Sequence, residues 1–167
     1  MTNASHRPGT AAWDDVEIRR LLAARQQAHQ HHDAAAIVAS YAADTVRYDL
    51  APPLAHLGID RGELDAWLAT WHGPIVMETP DLEIDVDGSL AVARGLARMR
   101  GRKVDDLSHE VDLWFRTTVV LKKVSARWQI VHEHASVPFY MDGSLRAAVD
   151  LQPDEATGTG QPAKTYP

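Results

Sequence analysis

Apart from one short strand, the spacing of hydrophobic residues in this 167-residue chain is helical up to Pro74 and alternating after it. Before Pro74, apolar residues recur every three or four positions, which is typical of helices that bury one face. After it, apolar residues such as Leu82, Ile84 and Val86 alternate with polar ones, as in strands with one buried face. Helices grouped before hairpins predict an α+β fold, with the helices packed on one face of a curved antiparallel sheet.

The first part of the chain contains start and stop signals for three helices and one strand. Asp33 precedes an alanine-rich segment and can cap its free amide groups. Pro52 ends the early strand, because proline cannot donate to a strand ladder. The expected elements are a helix from Asp14 or Asp15, a helix over 33–42, a strand over 45–50 and a helix over 59–73.

The second part is organised as hairpins. Asp87 and Gly88 form a turn signal between two alternating segments. A long apolar strand over 112–123 is followed by a turn at 124–126 and a returning strand over 127–138. These two long strands are therefore expected to pair as antiparallel neighbours.

The two ends of the chain have little to bury. Residues 1–11 are polar and are expected to form a flexible leader, while residues 151–167 are rich in Pro, Gly and Thr and are expected to form a disordered tail. The length that remains fits one ordinary domain. The sequence therefore predicts a single domain over residues 12–150.

Composition excludes several classes of protein. The chain has no cysteine, so it has no disulfide and no cysteine-ligated metal. Its 17 Lys and Arg against 23 Asp and Glu give a net charge of -6, which argues against general binding to nucleic acid or anionic membranes. No apolar run approaches the roughly 18 residues of a membrane span. We expect a cytoplasmic protein whose partner is a small molecule.

Side-chain alternation on the two long strands groups the polar candidates. If the tryptophan-bearing faces of both strands coincide beneath the helices, one arginine and two histidines meet in an apolar cleft, where a small molecule would bind. The side chains that share these faces are Trp128, Ile130, His132, His134 and Ser136 on one strand, and Trp114, Arg116 and Thr118 on the other.

Two further clusters lie on predicted helices. Trp67 and Trp71 are four residues apart on the third helix and are expected to share one face. His29, His31 and His32 crowd the end of the first helix, where partial positive charges suit the helix dipole. We interpret these three histidines as a solvated helix end.

Three strings carry a family resemblance through their order and spacing: DAAAIVASYAADTVRYDLAPPLAHLG, DLEIDVDGSLAVARGLARMRG and LWFRTTVVLKKVSARWQIVHEHASVPF. Together they resemble the SnoaL-like, ketosteroid-isomerase-like family of the nuclear-transport-factor-2-like superfamily, over nearly all of residues 14–139. The resemblance implies a cone, in which a strongly bent antiparallel sheet wraps around three N-terminal helices. It also implies a pocket between sheet and helices, and a homodimer formed through the sheet.

The resemblance and the titratable side chains favour general acid–base chemistry on a small carbonyl-containing or hydroxylated molecule, by an isomerase, cyclase or dehydratase-like lyase. Ketosteroid isomerases place their base aspartate near the early strand, which implies Asp49, one residue after the matching register. Asp49, or a histidine oriented by it, would remove a proton next to a carbonyl, and His134 would relay it. Arg116 and Tyr48 would stabilise the enolate oxygen. The predicted catalytic residues are Asp49, Arg116, His132 and His134, and the predicted substrate-binding residues are Tyr48, Trp67, Trp71, Trp114 and Ser136.

Three alternatives stay open. The same charged groups could form a buried network that only holds the shape of the fold, since buried charges are normally paired. The chain could be a non-catalytic ligand-binding or dimerisation module of the same fold. His132 and His134 have the spacing of two metal ligands, and His109, Asp49 or His72 would have to complete such a site. A two-residue pair is common, and we predict neither a metal nor a cofactor.

Overall fold

The structure, a computed structural model, describes residues 8–153, with side chains described from Ala12 onward. Helices come first and long strands follow, so the predicted α+β fold is confirmed. The elements in chain order are α1 (Pro8–Gln30), α2 (Ala34–Ala39), β1 (Tyr41–Tyr48), β2 (His56–Leu57), α3 (Arg61–Leu68), β3 (Trp71–Glu78), β4 (Glu83–Asp87), β5 (Leu90–Lys103), β6 (Asp106–Val124) and β7 (Arg127–Ser136).

Seven strands form one curved, unclosed sheet in the order β2-β1-β7-β6-β5-β3. The edge of β5 that faces away from β6 pairs with β4 in its first half and with β3 in its second half. Neighbouring strands are antiparallel except β1 and β7, which run parallel. We call the face that packs on the helices the inner face; Ala93, Val119 and Leu121 lie on it in one core cluster with Ile18 of α1. The opposite face is the outer face. Within the described residues, no helix has both the length and the apolar character needed to cross a membrane.

The start of α1 differs from the sequence-based expectation. The helix begins at Pro8 rather than at Asp14, so it includes part of the predicted leader. Proline is favoured in the first helical turn, because its missing N–H would have no partner there. Residues 1–7 and 154–167, which belong to the predicted leader and tail, lie outside the described residues.

For the two short helices, the sequence predicted the capping residue of α2 correctly but not the end of α3. Asp33 caps α2 as predicted, and its carboxylate accepts a hydrogen bond from the Ala36 amide at 3.0 Å. The predicted third helix is shorter than expected, since α3 ends at Leu68 and Trp71 already begins β3. Trp67 and Trp71 therefore do not share a helix face, although their rings meet edge to face at 5.7 Å.

One extra residue in β7 decides which side chains of that strand face the helices. Neighbouring residues of β6 pair with Ile130 and with His132, so Val131 between them has no partner on β6. Such a bulge interrupts the regular alternation of side chains. Beyond it the inner face receives Glu133, and His132 and His134 turn to the outer face.

The inward turn of Glu133 completes a largely buried charge network. Arg25 of α1 donates to both carboxylate oxygens of Glu133, at 2.7 and 3.0 Å, and to the Tyr41 hydroxyl at 2.6 Å. The Tyr41 hydroxyl in turn donates to Glu133. Only 14% of the Arg25 side chain and 16% of the Glu133 side chain are exposed. The network joins α1, β1 and β7 at one point of the core.

The network fixes the charge state of its members. Burial alone would raise the pKa of Glu133, but the charge of Arg25 and the hydrogen bonds from Arg25 and Tyr41 hold that pKa below its ordinary value. Burial raises the pKa of the Tyr41 phenol. Burial alone would lower the pKa of Arg25, and the Glu133 charge more than offsets this and raises it. The structure therefore carries an ionised carboxylate, a guanidinium ion and a neutral phenol.

Glu133→Gln is expected to lower the free energy of unfolding by about 3 kcal/mol at pH 7, because it leaves the buried Arg25 charge without its counter-charge. Since the pKa of Glu133 is lower in the folded than in the unfolded chain, its ionisation stabilises the fold fully above about pH 4.3, the ordinary glutamate value. That stability is lost as the pH falls through the folded pKa. Urea unfolding of both proteins at pH 7 and below pH 4 measures the difference, which should shrink in acid.

Glu110→Gln is the matched control, because Glu110 lies exposed on β6. This variant should unfold like the wild type within about 0.5 kcal/mol. Equal stability of Glu133→Gln and Glu110→Gln at pH 7 would contradict the structural role of the network.

Candidate functional site

A small chamber lies between α1 and the inner face of the sheet, with a volume of about 40 Å³. Polar groups from α1, β6 and β7 meet there against apolar walls, which is the usual composition of a ligand or active site. The residues that line the chamber are Arg25, Gln26, His29, Met77, Glu78, Thr79, Ala97, Phe115, Thr117 and Glu133.

A wider cleft of about 430 Å³ adjoins the chamber. The two spaces share Gln26, Met77, Glu78 and Thr79, so they lie side by side. The cleft falls within the range of small-molecule pockets, which starts at about 300 Å³. Its remaining lining residues are Pro80, Arg98 and Trp114.

The cleft lies where the edge of the sheet divides. On β5, pairing with β4 stops at Arg94 and pairing with β3 begins at Arg98, so residues 95–97 have no strand partner on this edge. The segment that crosses from β3 to β4 passes close to this gap, since a Cβ atom at Gly95 would lie 3.1 Å from the Asp81 carbonyl oxygen. Glycine permits this approach because it has no side chain.

One hydrogen bond spans the junction between chamber and cleft. Gln26 of α1 donates through Nε2 to the Thr79 hydroxyl at 3.0 Å. Thr79 follows the last residue of β3, so this bond ties the helix to the segment that borders the gap. Both residues of this bond line both spaces.

His29 contributes the titratable group of the chamber with the clearest acid–base character. Its Nδ1 lies 2.8 Å from the Arg25 carbonyl oxygen, so Nδ1 carries the proton and donates. In the part of the chain that the structure describes, Nε2 has no hydrogen-bond partner. Burial lowers the pKa of His29 below the ordinary histidine value. The ring is therefore neutral at pH 7, with the Nε2 lone pair available to accept a proton.

The charged side chains of the cleft neutralise one another. Arg98 forms two hydrogen bonds with Asp112, at 2.6 and 2.7 Å, and its guanidinium lies 5.4 Å from the centre of the Trp114 ring. Glu78 accepts a hydrogen bond from Arg100 at 3.1 Å. The cleft therefore presents planar and apolar surfaces rather than an excess of one charge.

The expectation that His132 and His134 point beneath the helices is wrong. The bulge at Val131 turns both to the outer face, where His134 is exposed. His132 donates from Nδ1 to the Val46 carbonyl oxygen at 2.8 Å. The exposed ring of Tyr48 meets both histidines edge to face, at 4.9 and 5.7 Å.

Arg116, Trp114 and Ser136 of the predicted cleft also lie on the outer face, whereas Trp128 and Ile130 lie in the core on the inner face. Arg116 pairs with Ser136, and Trp114 lies two residues before Arg116 on the same side of β6. The alternate residues Phe115 and Thr117 are the ones that face the helices and line the chamber. The tryptophan-bearing faces of β6 and β7 therefore do not coincide, although Trp114 reaches the wide cleft at the sheet edge.

The remaining predicted residues lie apart from the chamber. Asp49 is bound by Arg47 at 2.7 Å and lies 3.7 Å from His56, on the segment after β1. Trp71 is buried in the core. The ring of Trp67 contacts that of His29, with 6.3 Å between the ring centroids, so Trp67 packs against a residue that lines the chamber. Within residues 8–153, no three His, Cys, Asp or Glu side chains lie together as a metal site would need.

The sequence interpretation missed Arg25, His29, Thr117 and Glu133. A signal for two of them exists in α1, where Arg25 and His29 continue the helical stripe of buried residues that begins with Ile18. Polar residues on a core stripe indicate a buried network or a site. Glu133 carries no comparable signal, because regular alternation places it on the outside.

Comparison with known proteins supports the fold. A model of the SnoaL-like domain matches residues 18–140. An NTF2-like protein of unknown function from Pseudomonas putida KT2440 is 32% identical, with a TM-score of 0.74 over 86% of this chain and 99% of that one. A candidate scytalone dehydratase from Novosphingobium aromaticivorans is 16% identical, with a TM-score of 0.66 over 81% and 91% of the two chains.

A more distant structure completes the comparison. A candidate ketosteroid isomerase from Shewanella frigidimarina is 18% identical, with a TM-score of 0.57 over 70% of this chain and 92% of that one. A search among curated proteins gave no match. The matched domain covers most of the chain, and the structure has the curved sheet and N-terminal helices implied by the sequence. The chain therefore belongs to the SnoaL-like family, within the NTF2-like superfamily.

Proposed function

We propose that this protein is an acid–base enzyme of the lyase or isomerase type, with His29 as its base. The supporting observation is the neutral His29 ring, whose Nδ1 proton is fixed on the Arg25 carbonyl and whose Nε2 faces no protein partner within the described residues. A base with these properties removes a proton from carbon next to a carbonyl group.

The charges around the site indicate the class of substrate. Arg25 with Glu133 and Arg98 with Asp112 are ion pairs, so each guanidinium already has a carboxylate partner. A charged substrate would have to displace one of these pairs, at a cost in binding energy. We therefore propose a small neutral molecule that carries a carbonyl or hydroxyl group.

The names of similar structures are compatible with this proposal. Proteins with the same fold include candidate dehydratases from Novosphingobium aromaticivorans and Streptomyces avermitilis. Their low identity to this chain, 16% in each case, supports the shared fold and leaves the residues of the reaction to be argued from this chain alone.

His29→Gln is expected to abolish carbon-acid exchange. Benzylacetone, a neutral ketone with a flat ring, is incubated with the protein in D₂O, and NMR follows the loss of hydrogen next to the carbonyl. We expect the variant to exchange at least about 100-fold more slowly, because general bases contribute at least this much. The wild-type rate should fall only below the ordinary histidine value of about pH 6.5, since the pKa of His29 is lowered.

His31→Gln is the matched control, because His31 also bonds through Nδ1 to the carbonyl four residues earlier, at 2.9 Å, but is exposed. It should exchange like the wild type. A wild type that binds benzylacetone without accelerating exchange would instead support the non-catalytic ligand-binding alternative.

We also propose that the outer face pairs with a second copy of the chain. Val92, Val120 and His132 lie in one row across three strands, and all three side chains are partly exposed. The exposed Tyr48 extends this surface over β1. The same face also carries charged side chains, among them Arg98 with Asp112 and, nearer the row, Arg116, so the interface would be centred on the apolar row. In a symmetric interface the same patch serves both subunits.

Val120→Glu is expected to convert a dimer to a monomer, because the new carboxylate would meet its own copy or be buried without a partner. Sedimentation equilibrium at micromolar concentration measures the change. Val104→Glu, at an exposed position between β5 and β6, should leave the dimer intact. A monomeric wild type in the same experiment would overturn the proposal.

A further inference from the structure

We propose that the free edge of β6 over residues 110–115 binds an extended peptide segment of a partner protein, in which basic residues alternate with apolar ones. Such a peptide adds a strand to the sheet: main-chain hydrogen bonds supply the affinity, and alternate side chains supply the specificity. The proposal concerns a surface of the sheet and does not depend on the reaction proposed above.

One half of β6 has a strand neighbour on only one side. Residues 110–122 pair with β5 without interruption, whereas pairing with β7 covers only residues 116–124. On the β7 side, no described residue pairs with the main chain of residues 110–115. Strands of about five or six residues are the commonest, so this edge has the length to hold a partner strand of ordinary size.

The edge is free because β7 cannot continue along it. The last pair is Arg116 with Ser136, so Pro138 would stand opposite Trp114. Proline has no amide hydrogen to donate to a strand ladder. The chain then turns back on itself, since the Pro138 carbonyl accepts a hydrogen bond from the Ala148 amide at 2.8 Å. The position beside residues 110–115 is therefore left to another strand.

The inner-face side chains beside this edge are apolar. Val111, Leu113 and Phe115 alternate along β6 on the side of the helices, where Val111 packs against the core cluster and Phe115 is buried. Val111 and Leu113 remain partly exposed. An added strand would cover these two side chains if every second residue of the peptide were apolar.

The outer-face side chains beside the edge favour basic residues at the alternate positions. Asp112 is paired with Arg98, but Glu110 is exposed and forms no ion pair within residues 8–153. The ring of Trp114 lies in the same row and already has the Arg98 guanidinium 5.4 Å from its centre. A carboxylate and an indole ring both attract cations. Lysine or arginine in the partner strand therefore complements this row.

A second copy of this chain is a less suitable occupant. In an antiparallel pair of strands, directly opposite residues lie on the same face. Within residues 106–115, every symmetric register that includes Glu110 places two carboxylates opposite one another, for example Glu110 against Asp112. Like charges in such positions are destabilising. The net charge of the chain, -6, also favours a basic partner.

The test uses the full-length protein and a fluorescein-labelled peptide of alternating lysine and valine that is long enough to span residues 110–115. Fluorescence anisotropy at physiological ionic strength should show saturable binding, and a peptide of alternating glutamate and valine should not bind. The lysine–valine peptide with methylated main-chain amides keeps its side chains but cannot donate to a strand, and should bind at least about tenfold more weakly. Equal affinity of the methylated and unmethylated peptides, or no saturable binding, would overturn the proposal.

Glu110→Lys reverses the charge beside the edge. It should weaken binding of the lysine–valine peptide about tenfold and should allow the glutamate–valine peptide to bind. Asp44→Lys is the matched control, because it makes the same change of charge at an exposed position of β1 and should leave both affinities unchanged. An equal effect of the two variants would mean that net charge alone governs binding, and would overturn the proposal.

Hydrogen exchange locates the bound peptide and identifies other occupants. The amides of residues 110–115 that do not bond to β5 should exchange rapidly in the protein alone and slowly when the lysine–valine peptide is bound. Protection confined to another part of the chain would overturn the proposal. In the protein alone, protection that is lost on dilution would assign the edge to a second copy, and protection that persists would assign it to this chain; either result would also overturn the proposal.

Discussion

The buried ion pair between Arg25 and Glu133 ties together the elements that enclose the chamber. It joins the first helix to the last strand, and the Tyr41 hydroxyl closes it from the first strand. The backbone carbonyl of the same Arg25 holds the Nδ1 proton of His29. A residue that stabilises the fold thus also sets the tautomer of the proposed base. The position of Arg25 is therefore constrained twice, once by its side chain and once by its main chain.

The course of the chain could be predicted from the sequence because its signals are local. The change from helical spacing to alternation, the Asp33 cap and the Asp87-Gly88 turn each act over a few residues, and the structure contains all three. The ends of the elements were less predictable. Trp71, for example, belongs to a strand because it pairs with Lys103 of β5, a partner 32 positions away that no local pattern reveals.

The candidate site was predicted on the wrong side of the sheet for one physical reason. With regular alternation, His132 would face inward like Ile130. The bulge at Val131 interrupts the alternation, so every later side chain of β7 lies on the opposite face from the one predicted. His132, His134 and Ser136 share the outer face with Arg116, as grouped, but Trp128 and Ile130 of the same predicted group stay on the inner face. The grouping was therefore correct only for the part of β7 beyond the single unpaired residue.

The two unpartnered groups of the chamber bear on the choice between an enzyme and a ligand-binding module. Within the described residues, neither the Thr117 hydroxyl nor Nε2 of His29 forms a hydrogen bond, and both residues line the same small space. A binding module can use these groups to hold any hydroxylated ligand, and for this purpose the pKa of the histidine is immaterial. Proton transfer, in contrast, requires a ring that is neutral at working pH and oriented before the substrate arrives. The burial of His29 and its bond to Arg25 meet both requirements. The combination of a free lone pair, a fixed tautomer and a lowered pKa in one side chain therefore favours catalysis over binding alone.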